Sequence, residues 1–284
     1  APLSPVLLGE LLPAFLLSLG ITLVLPRWTL AWLGGDPPGA RKKQRQAMPM
    51  IGFLCLPVPI SLFGWPEAAF LLGLSAGLGL LDDCLGERFR WWLKLGGQVA
   101  VALLAVSLDS LSFDLASLDV WVRALCLVLC MNAWNFADNS DGAASCTALG
   151  ALLPWLLLGP VTAMAATAGA LLGFLPRNWP RARVYLGDGG SQTLGLLLGM
   201  FSLELVERAP GAFLTAASLH VLPLLDLVQV VLVRLWKRIP PWRADRRHLA
   251  HRLAGLLPES GVAPLLLLLQ AALCLALVSA SGKG

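Results

Sequence analysis

Apolar runs of membrane-spanning length follow one another from end to end of this chain, and that feature restricts its fold more than any other. A bilayer core about 30 Å thick takes roughly 20 apolar residues per helix, and every backbone polar group inside it must bond within the helix. We read about ten such spans, near residues 6–26, 48–64, 66–82, 94–110, 120–137, 143–159, 161–176, 190–207, 211–235 and 260–280. Only 13% of the 284 residues are charged, against 57% hydrophobic, and the mean hydropathy is +0.74. Soluble domains carry about 25% charge, so a water-facing surface has nothing to cover it. The expected fold is an all-α integral membrane protein, a polytopic bundle forming one transmembrane domain over residues 1–284.

The charges are not scattered. Arg27, Arg41, Lys42, Lys43 and Arg45 share one loop region, followed at alternate loops by Arg88, Arg90 and Lys94, and then by Arg177, Arg181 and Arg183. Arg234, Lys237, Arg238, Arg243, Arg246, Arg247 and Arg252 complete the set, leaving only Arg123, Arg208 and Lys283 of the 21 basic residues elsewhere. By the positive-inside rule this face is cytoplasmic and both termini lie outside. A net charge of +4 confined to short loops argues against nucleic acid as a partner. The run from Val6 to Pro26 lacks a basic n-region and a small-residue cleavage site, so it reads as a first helix and not a signal peptide. Tryptophans such as Trp28, Trp91, Trp92 and Trp236 mark span ends, as interfacial anchors do. The six cysteines form no CxxC pair and read as small packing residues.

Five polar segments fall on the basic face. Asp82-Asp83 ends one apolar helix. Asn132 to Gly142 carries Asn135, Asp138, Asn139 and Asp141. Asn178-Trp179-Pro180 leads to Gly187-Asp188-Gly189-Gly190-Ser191. Ala244 to Leu253 holds Asp245, His248, His251 and Arg252, and Pro49 to Gly52 closes the first basic loop. Clustered carboxylates repel one another unless a hard cation relieves them, and Mg²⁺ takes oxygen ligands while keeping places for substrate phosphates. Arginines and histidines around them suit an anionic substrate. Together they point to phosphoryl transfer, where positioning and charge neutralisation do most of the work.

Asn132, Asn135 and Asp138 recur every three residues and share one arc of a helix, which should face the bundle interior. Glycines around Asp188 permit close approach of a ligand. Ser191 can cap the following span, whose free N–H groups would suit a phosphate. Each feature has a plain rival. Two aspartates also mark a solvated helix end, paired asparagines also glue helices together, and His248 with His251 can hold lipid headgroups. His220 reads as a packed histidine. Asp226, deep in an apolar span, is costly unless partnered.

In this order the motifs resemble the polyprenyl-phosphate N-acetylhexosamine-1-phosphate transferases of bacterial envelope synthesis. Asp82-Asp83 with Lys94 and Gln98 resembles the family's first aspartate motif, and Asn132 to Gly142 its NxxNxxDGxDG motif. Asn178 to Ser191 is similar to the NxPxxxxxxGDxGS block, Pro223 to Asp226 to PLxD, and Asp245 to Leu253 to the ADRxHLHHRL ending. That ending is closer to the enterobacterial-antigen and teichoic-acid initiating branch than to the muramoyl-pentapeptide branch. The resemblance implies transfer of a sugar 1-phosphate from a UDP-N-acetylhexosamine, with GlcNAc the first choice, to undecaprenyl phosphate in the bacterial cytoplasmic membrane. UMP would be released, and the enzyme could work as a homodimer. It implies Mg²⁺, or Mn²⁺, on Asp188, Asp82, Asp83 and Asn135, with Asp82, Asp83, Asp141 and Asp188 catalytic. Lys94, Asn132, Asn135, Asp138, Asn178, His248, His251 and Arg252 would bind substrate.

Departures stand beside the match. Asn139 takes a position where the family has Gly, and tolerates the left-handed geometry such a turn would need. Ala250 replaces one histidine, Phe53 follows Gly52 where a second Gly is common, and Arg177 and Gly189 are unusual in their motifs. A member of the family weakened in catalysis but retaining lipid-phosphate or sugar-nucleotide binding is one alternative. A CDP-alcohol-type phosphotransferase is another, but its motif needs Arg shortly after Asp-Gly and two further aspartates downstream, whereas here Ser145 follows Asp141 to Ala144 and the next span carries no aspartate. A transporter would carry its acidic residues at the bilayer midplane, where only Asp226 falls.

Overall fold

The computed structural model describes residues 5–36, 47–109, 114–158, 162–209, 212–240 and 247–281. Arg41, Lys42, Lys43, Arg45, Arg243, Asp245 and Arg246 lie outside these. In chain order the helices are α1 (Pro5–Val24), α2 (Pro26–Leu33), α3 (Gly52–Cys55), α4 (Pro57–Phe63), α5 (Ala69–Leu85), α6 (Trp91–Asp109) and α7 (Leu118–Ala137). There follow α8 (Ala143–Leu158), α9 (Thr162–Asn178), α10 (Gly187–Arg208), α11 (Phe213–Ser218), α12 (Val221–Trp236), α13 (Leu249–Leu253) and α14 (Glu259–Ser281).

Proline sets several of the breaks. Pro26 opens α2, which leaves the axis of α1 at 55°. Pro57 opens α4 directly after α3, because its ring nitrogen cannot continue the hydrogen-bond ladder. The run expected as a single span at 48–64 is therefore two helices, and that at 211–235 is also two, parted at Leu219 and His220. Four segments are long and apolar enough to cross a bilayer alone: Pro66–Leu85, Trp91–Leu108, Leu118–Ala137 and Glu259–Ala280. The bent pair Leu8–Val24 and Pro26–Leu33 makes a fifth. Length and apolarity thus license four or five crossings among the described residues, against the ten expected. α8 and α9 are short, at 16 and 17 residues, and the first turns of α10 are polar and glycine-rich.

α12 shows what surrounds the bundle. Its inner face buries Asp226, Val230 and Arg234, while Leu225, Val228, Leu232, Leu235 and Trp236 face outward. Polar inside and apolar outside is the arrangement of a helix in lipid.

α10 is the central post, packed against α5 on one side and α7 on the other. Its buried side chains Leu194, Leu197, Leu198 and Phe201 join Trp134, Phe174 and Leu72 in the main core. α1 lies along α9, where Gly169 and Gly173 sit four residues apart in the small-residue spacing of closely packed membrane helices. A Cβ on Gly173 would come within 2.3 Å of the Phe15 carbonyl oxygen. Gly173→Ala should therefore force the two helices apart and cost roughly 1–3 kcal/mol of stability, read as a lower Tm in detergent.

Candidate active site

The ends of α5, α6, α7 and α10 meet at one end of the bundle, and their polar side chains converge. Lys94, in the first turn of α6, lies with its Nζ 2.7 Å from Asp82 Oδ2 and within hydrogen-bond reach of Asp188 Oδ2. The same ammonium donates to Asn135 Oδ1 at 3.3 Å. Asn135 turns its amide nitrogen to Asp188 Oδ1 at 2.8 Å and to Ser191 Oγ at 3.0 Å. Residues more than 100 positions apart thus share one cluster.

Asp83 has a separate task. Its two oxygens accept the backbone N–H groups of Asp188 and Gly189 at 3.0 and 3.2 Å. These are orphan donors of the first turn of α10, so a side chain from α5 caps the helix that carries Asp188. The cap expected from Ser191 is not used: α10 begins at Gly187, and Ser191 bonds back to the Gly187 carbonyl at 2.9 Å. Two of the amides expected to greet a phosphate, those of Asp188 and Gly189, are likewise taken by Asp83. Gly187 makes the turn possible with φ of 68°, and any Cβ there would lie 2.6 Å from Asp83 Oδ2. Gly79 allows α5 to touch α10, since its Cβ would lie 2.3 Å from the Asp188 carbonyl oxygen.

The arc on α7 faces inward as expected, with a different duty at each level. Asn132 lies one layer deeper. It donates to Gln98 Oε1 at 2.8 Å, and Gln98 donates to Gln192 Oε1 at 2.9 Å. This buried amide chain ties α7, α6 and α10 beneath the carboxylates, and Gln192 was not singled out in the sequence. Asp138 closes α7. Burial, then the charge of Asp188, pushes its carboxyl up to about 7, although the Gly187 N–H draws it down. Asp141 accepts from the Ala182 N–H at 2.9 Å. Asn178, buried, accepts from the Gly142 N–H and donates to the Val184 carbonyl, both at 3.0 Å. Both ends of its amide are thus engaged by backbone, and it clips two loops together where substrate contact was expected. The Tyr185 N–H donates to the Pro49 carbonyl at 2.9 Å and the Tyr185 carbonyl accepts the Ile51 N–H at 3.1 Å, which brings the Pro49 to Gly52 segment to the same end.

The histidine segment docks on α12 and α7. His248 stands edge-on to the Phe136 ring at 5.4 Å, between Asn135 and Asp138 in sequence, and His251 follows at 6.3 Å from His248. Arg252 is exposed and reaches Gln229 Oε1 at 3.4 Å. His220 belongs to the core, as expected: Trp134 Nε1 donates to its Nδ1 at 3.0 Å, and its Nε2 meets Ser202 Oγ at 2.8 Å.

Two departures from the family pattern line one cavity. Asn139 and Ala250 share a void of about 20 Å³ with Thr147, Pro223 and Asp226, room for one water. Asn139 is not left-handed; the positive φ in this turn belongs to Gly142, at 72°. Its Nδ2 bonds the Phe136 carbonyl at 2.6 Å, while its buried Oδ1 has no protein partner among the described residues. A side chain is gained on one wall where an imidazole is lost from the other. Ala250→His should overfill this space at roughly 1–3 kcal/mol, and adding Asn139→Gly should recover part of the lost Tm. A second exchange of size occurs at Gly189, where a Cβ would lie 2.8 Å from that of Phe53.

Among the described residues, no three Asp, Glu, His or Cys side chains form a ready metal set. Oxygens of Asp82, Asp188 and Asn135 nevertheless converge on the single positive atom of Lys94. Hard donors in this number, completed by water and phosphate oxygens, fit Mg²⁺. Asp83, with both oxygens bonded to backbone, is the least available of the expected ligands.

Apolar helices of crossing length around a carboxylate-rich polar end define an integral membrane protein with a charged site at one end of its bundle. The chain belongs to glycosyl transferase family 4, whose sequence model matches residues 65–206. It is 29% identical over 236 residues to the decaprenyl-phosphate N-acetylglucosaminephosphotransferase of Mycolicibacterium smegmatis, covering 67% of this chain and 56% of that one. It is 29% identical over 218 residues to the undecaprenyl-phosphate alpha-N-acetylglucosaminyl 1-phosphate transferase of Thermotoga maritima, covering 76% and 71%. The transferase of the same description from Escherichia coli is 25% identical over 248 residues, covering 76% and 68%. The chain thus spans little more than half the length of the mycobacterial relative.

Proposed function

We propose that this protein transfers N-acetylglucosamine 1-phosphate from its UDP-sugar to a polyprenyl phosphate, undecaprenyl phosphate in the first instance, at the cytoplasmic face of a bacterial membrane. The observation that carries this reading is the convergence of Asp82, Asp188 and Asn135 on Lys94 where four helices end. The activities for which the relatives are named agree with it. An oxygen of the lipid phosphate attacks the sugar-side phosphorus, the bridging P–O bond to the uridine-side phosphate breaks, and UMP leaves. The lipid phosphate, with a second ionisation near pH 6 as in phosphoamino acids, needs no strong protein base.

In this reading Asp188, Asp82 and Asn135 hold Mg²⁺, or Mn²⁺, and the ion supplies charge neutralisation for the phosphates. Lys94 keeps the carboxylates paired and contributes a point charge toward phosphate. Asp83 keeps Asp188 in place through the backbone. His248, His251 and Arg252, on the segment docked on α12 and α7, would hold phosphate or sugar.

The test is UMP release from UDP-GlcNAc by purified protein with undecaprenyl phosphate and Mg²⁺. Release that requires both the lipid and the metal, and stops on chelation, is expected. Protein that is folded yet silent across a panel of UDP-sugars would sink the proposal in favour of a binding role.

A further inference from the structure

Asp226 is a carboxylate on a helix whose outer face is apolar, and it is buried. Such a group is retained only when partnered, and its partners are specific. Oδ1 accepts the Leu249 N–H at 2.7 Å, and Oδ2 lies 3.0 Å from His248 Nδ1. The first bond holds the start of α13, and the second holds the ring just before it. One turn further along α12, Gln229 Nε2 reaches the Arg247 carbonyl at 3.5 Å and Gln229 Oε1 meets Arg252. The inner stripe of α12 is thus a cradle for residues 247–252.

The hydrogen-bond pattern fixes the ring chemically as well as spatially. A carboxylate accepts, so Nδ1 of His248 carries hydrogen and Nε2 is the atom left to meet other groups. His220 is the mirror case. The indole N–H of Trp134 can only donate, so Nδ1 of His220 is bare and its hydrogen sits on Nε2, toward Ser202.

We propose that Asp226 is the positioning residue of the site: it sets the tautomer and orientation of His248, so that Nε2 is the nitrogen offered to the substrate's phosphate or sugar. The kinetic half of this rests on the transferase reading above; the tautomer half does not.

Asp226→Asn separates the two. Its Oδ1 can still accept the Leu249 N–H, so α13 stays anchored, but the amide then presents N–H to His248 Nδ1. That partner requires a bare Nδ1 and moves the hydrogen to Nε2. The chain has three histidines, so [¹⁵N]histidine-labelled protein in detergent gives few signals, assigned with His248→Gln and His220→Gln. In the parent, His248 should show the Nδ1-protonated pattern and His220 the Nε2-protonated one. In Asp226→Asn, His248 should switch and His220 should not. UMP release should fall about 10- to 100-fold in kcat/KM, the usual loss when an orienting partner is removed, and Asp226→Asn should add little to His248→Ala. An unchanged His248 signal overturns the proposal, as does a switched tautomer with undiminished turnover. A parent inactive on every UDP-sugar tells against the transferase reading alone, and the tautomer switch then still decides what Asp226 does.

Discussion

Asp188→Asn is expected to slow UMP release by about 10²–10³-fold, the cost of removing one preorganised electrostatic group from a phosphate-handling site, with little change in Tm. The reason is its place in the cluster. Asp188 is the joint between Lys94 on α6 and Asn135 on α7, and it is presented by the first turn of α10. An amide of equal size keeps the packing and the backbone bonds to Asp83, which run through N–H groups and not through the side chain. It removes the charge that pairs with Lys94 and leaves Asp82 as the ammonium's carboxylate partner in the cluster. UMP release at saturating UDP-GlcNAc, lipid and Mg²⁺ checks this, with circular dichroism confirming that the helices persist. Turnover within a few-fold of the parent would remove Asp188 from the centre of the site.

Gly79→Ala should reduce turnover by a comparable amount, about 10²-fold, without touching a polar group. The added methyl would lie 2.3 Å from the Asp188 carbonyl oxygen and 2.4 Å from the Gly189 nitrogen. Both are backbone atoms at the start of α10, so no rotamer change can make room, and α5 has to move away. Asp82 and Asp83 ride on α5, so they move with it. Misplacement by about 1 Å costs on the order of 10²-fold in a site that works by positioning. Tm should fall as well, since overfilling a tight contact costs roughly 1–3 kcal/mol. Gly77 on the same helix has open space around it. Gly77→Ala is the control and should leave both turnover and Tm near the parent's.

The sequence showed which residues would meet, because membrane topology puts polar segments of alternate loops on one face. Asp82, Lys94, Asn135, Asp138 and Asp188 do meet. It could not show which of two neighbouring aspartates does which task. Asp82 and Asp83 are adjacent on the chain, but a helix turns about 100° per residue, and the pitch of α5 against α10 decides that one points to Lys94 and the other to the α10 amides. Nor could it show that Asn178 engages backbone with both ends of its amide, because an asparagine bound to a substrate and one bound to a loop have the same spelling. Helix boundaries within the expected spans were not legible either, again for a physical reason. Short apolar helices broken at proline, such as α3 and α4, count as one span by hydropathy but not by geometry. The partner that makes Asp226 tolerable sits 22 residues away, beyond any helical periodicity.

The contact between Phe53 and Gly189 has a practical consequence for anyone recombining this chain with a relative. The two residues come from segments 136 positions apart, by their numbers, yet their Cβ positions compete for one space. A chimera that imports only the segment around Asp188, with a larger residue in place of Gly189, would meet Phe53 and misfit. One that imports only the segment around Gly52, with glycine in place of Phe53, would leave a hole beside the first turn of α10. Exchanges that respect this fold have to be made in pairs, and crossover points chosen by sequence continuity alone will tend to separate them.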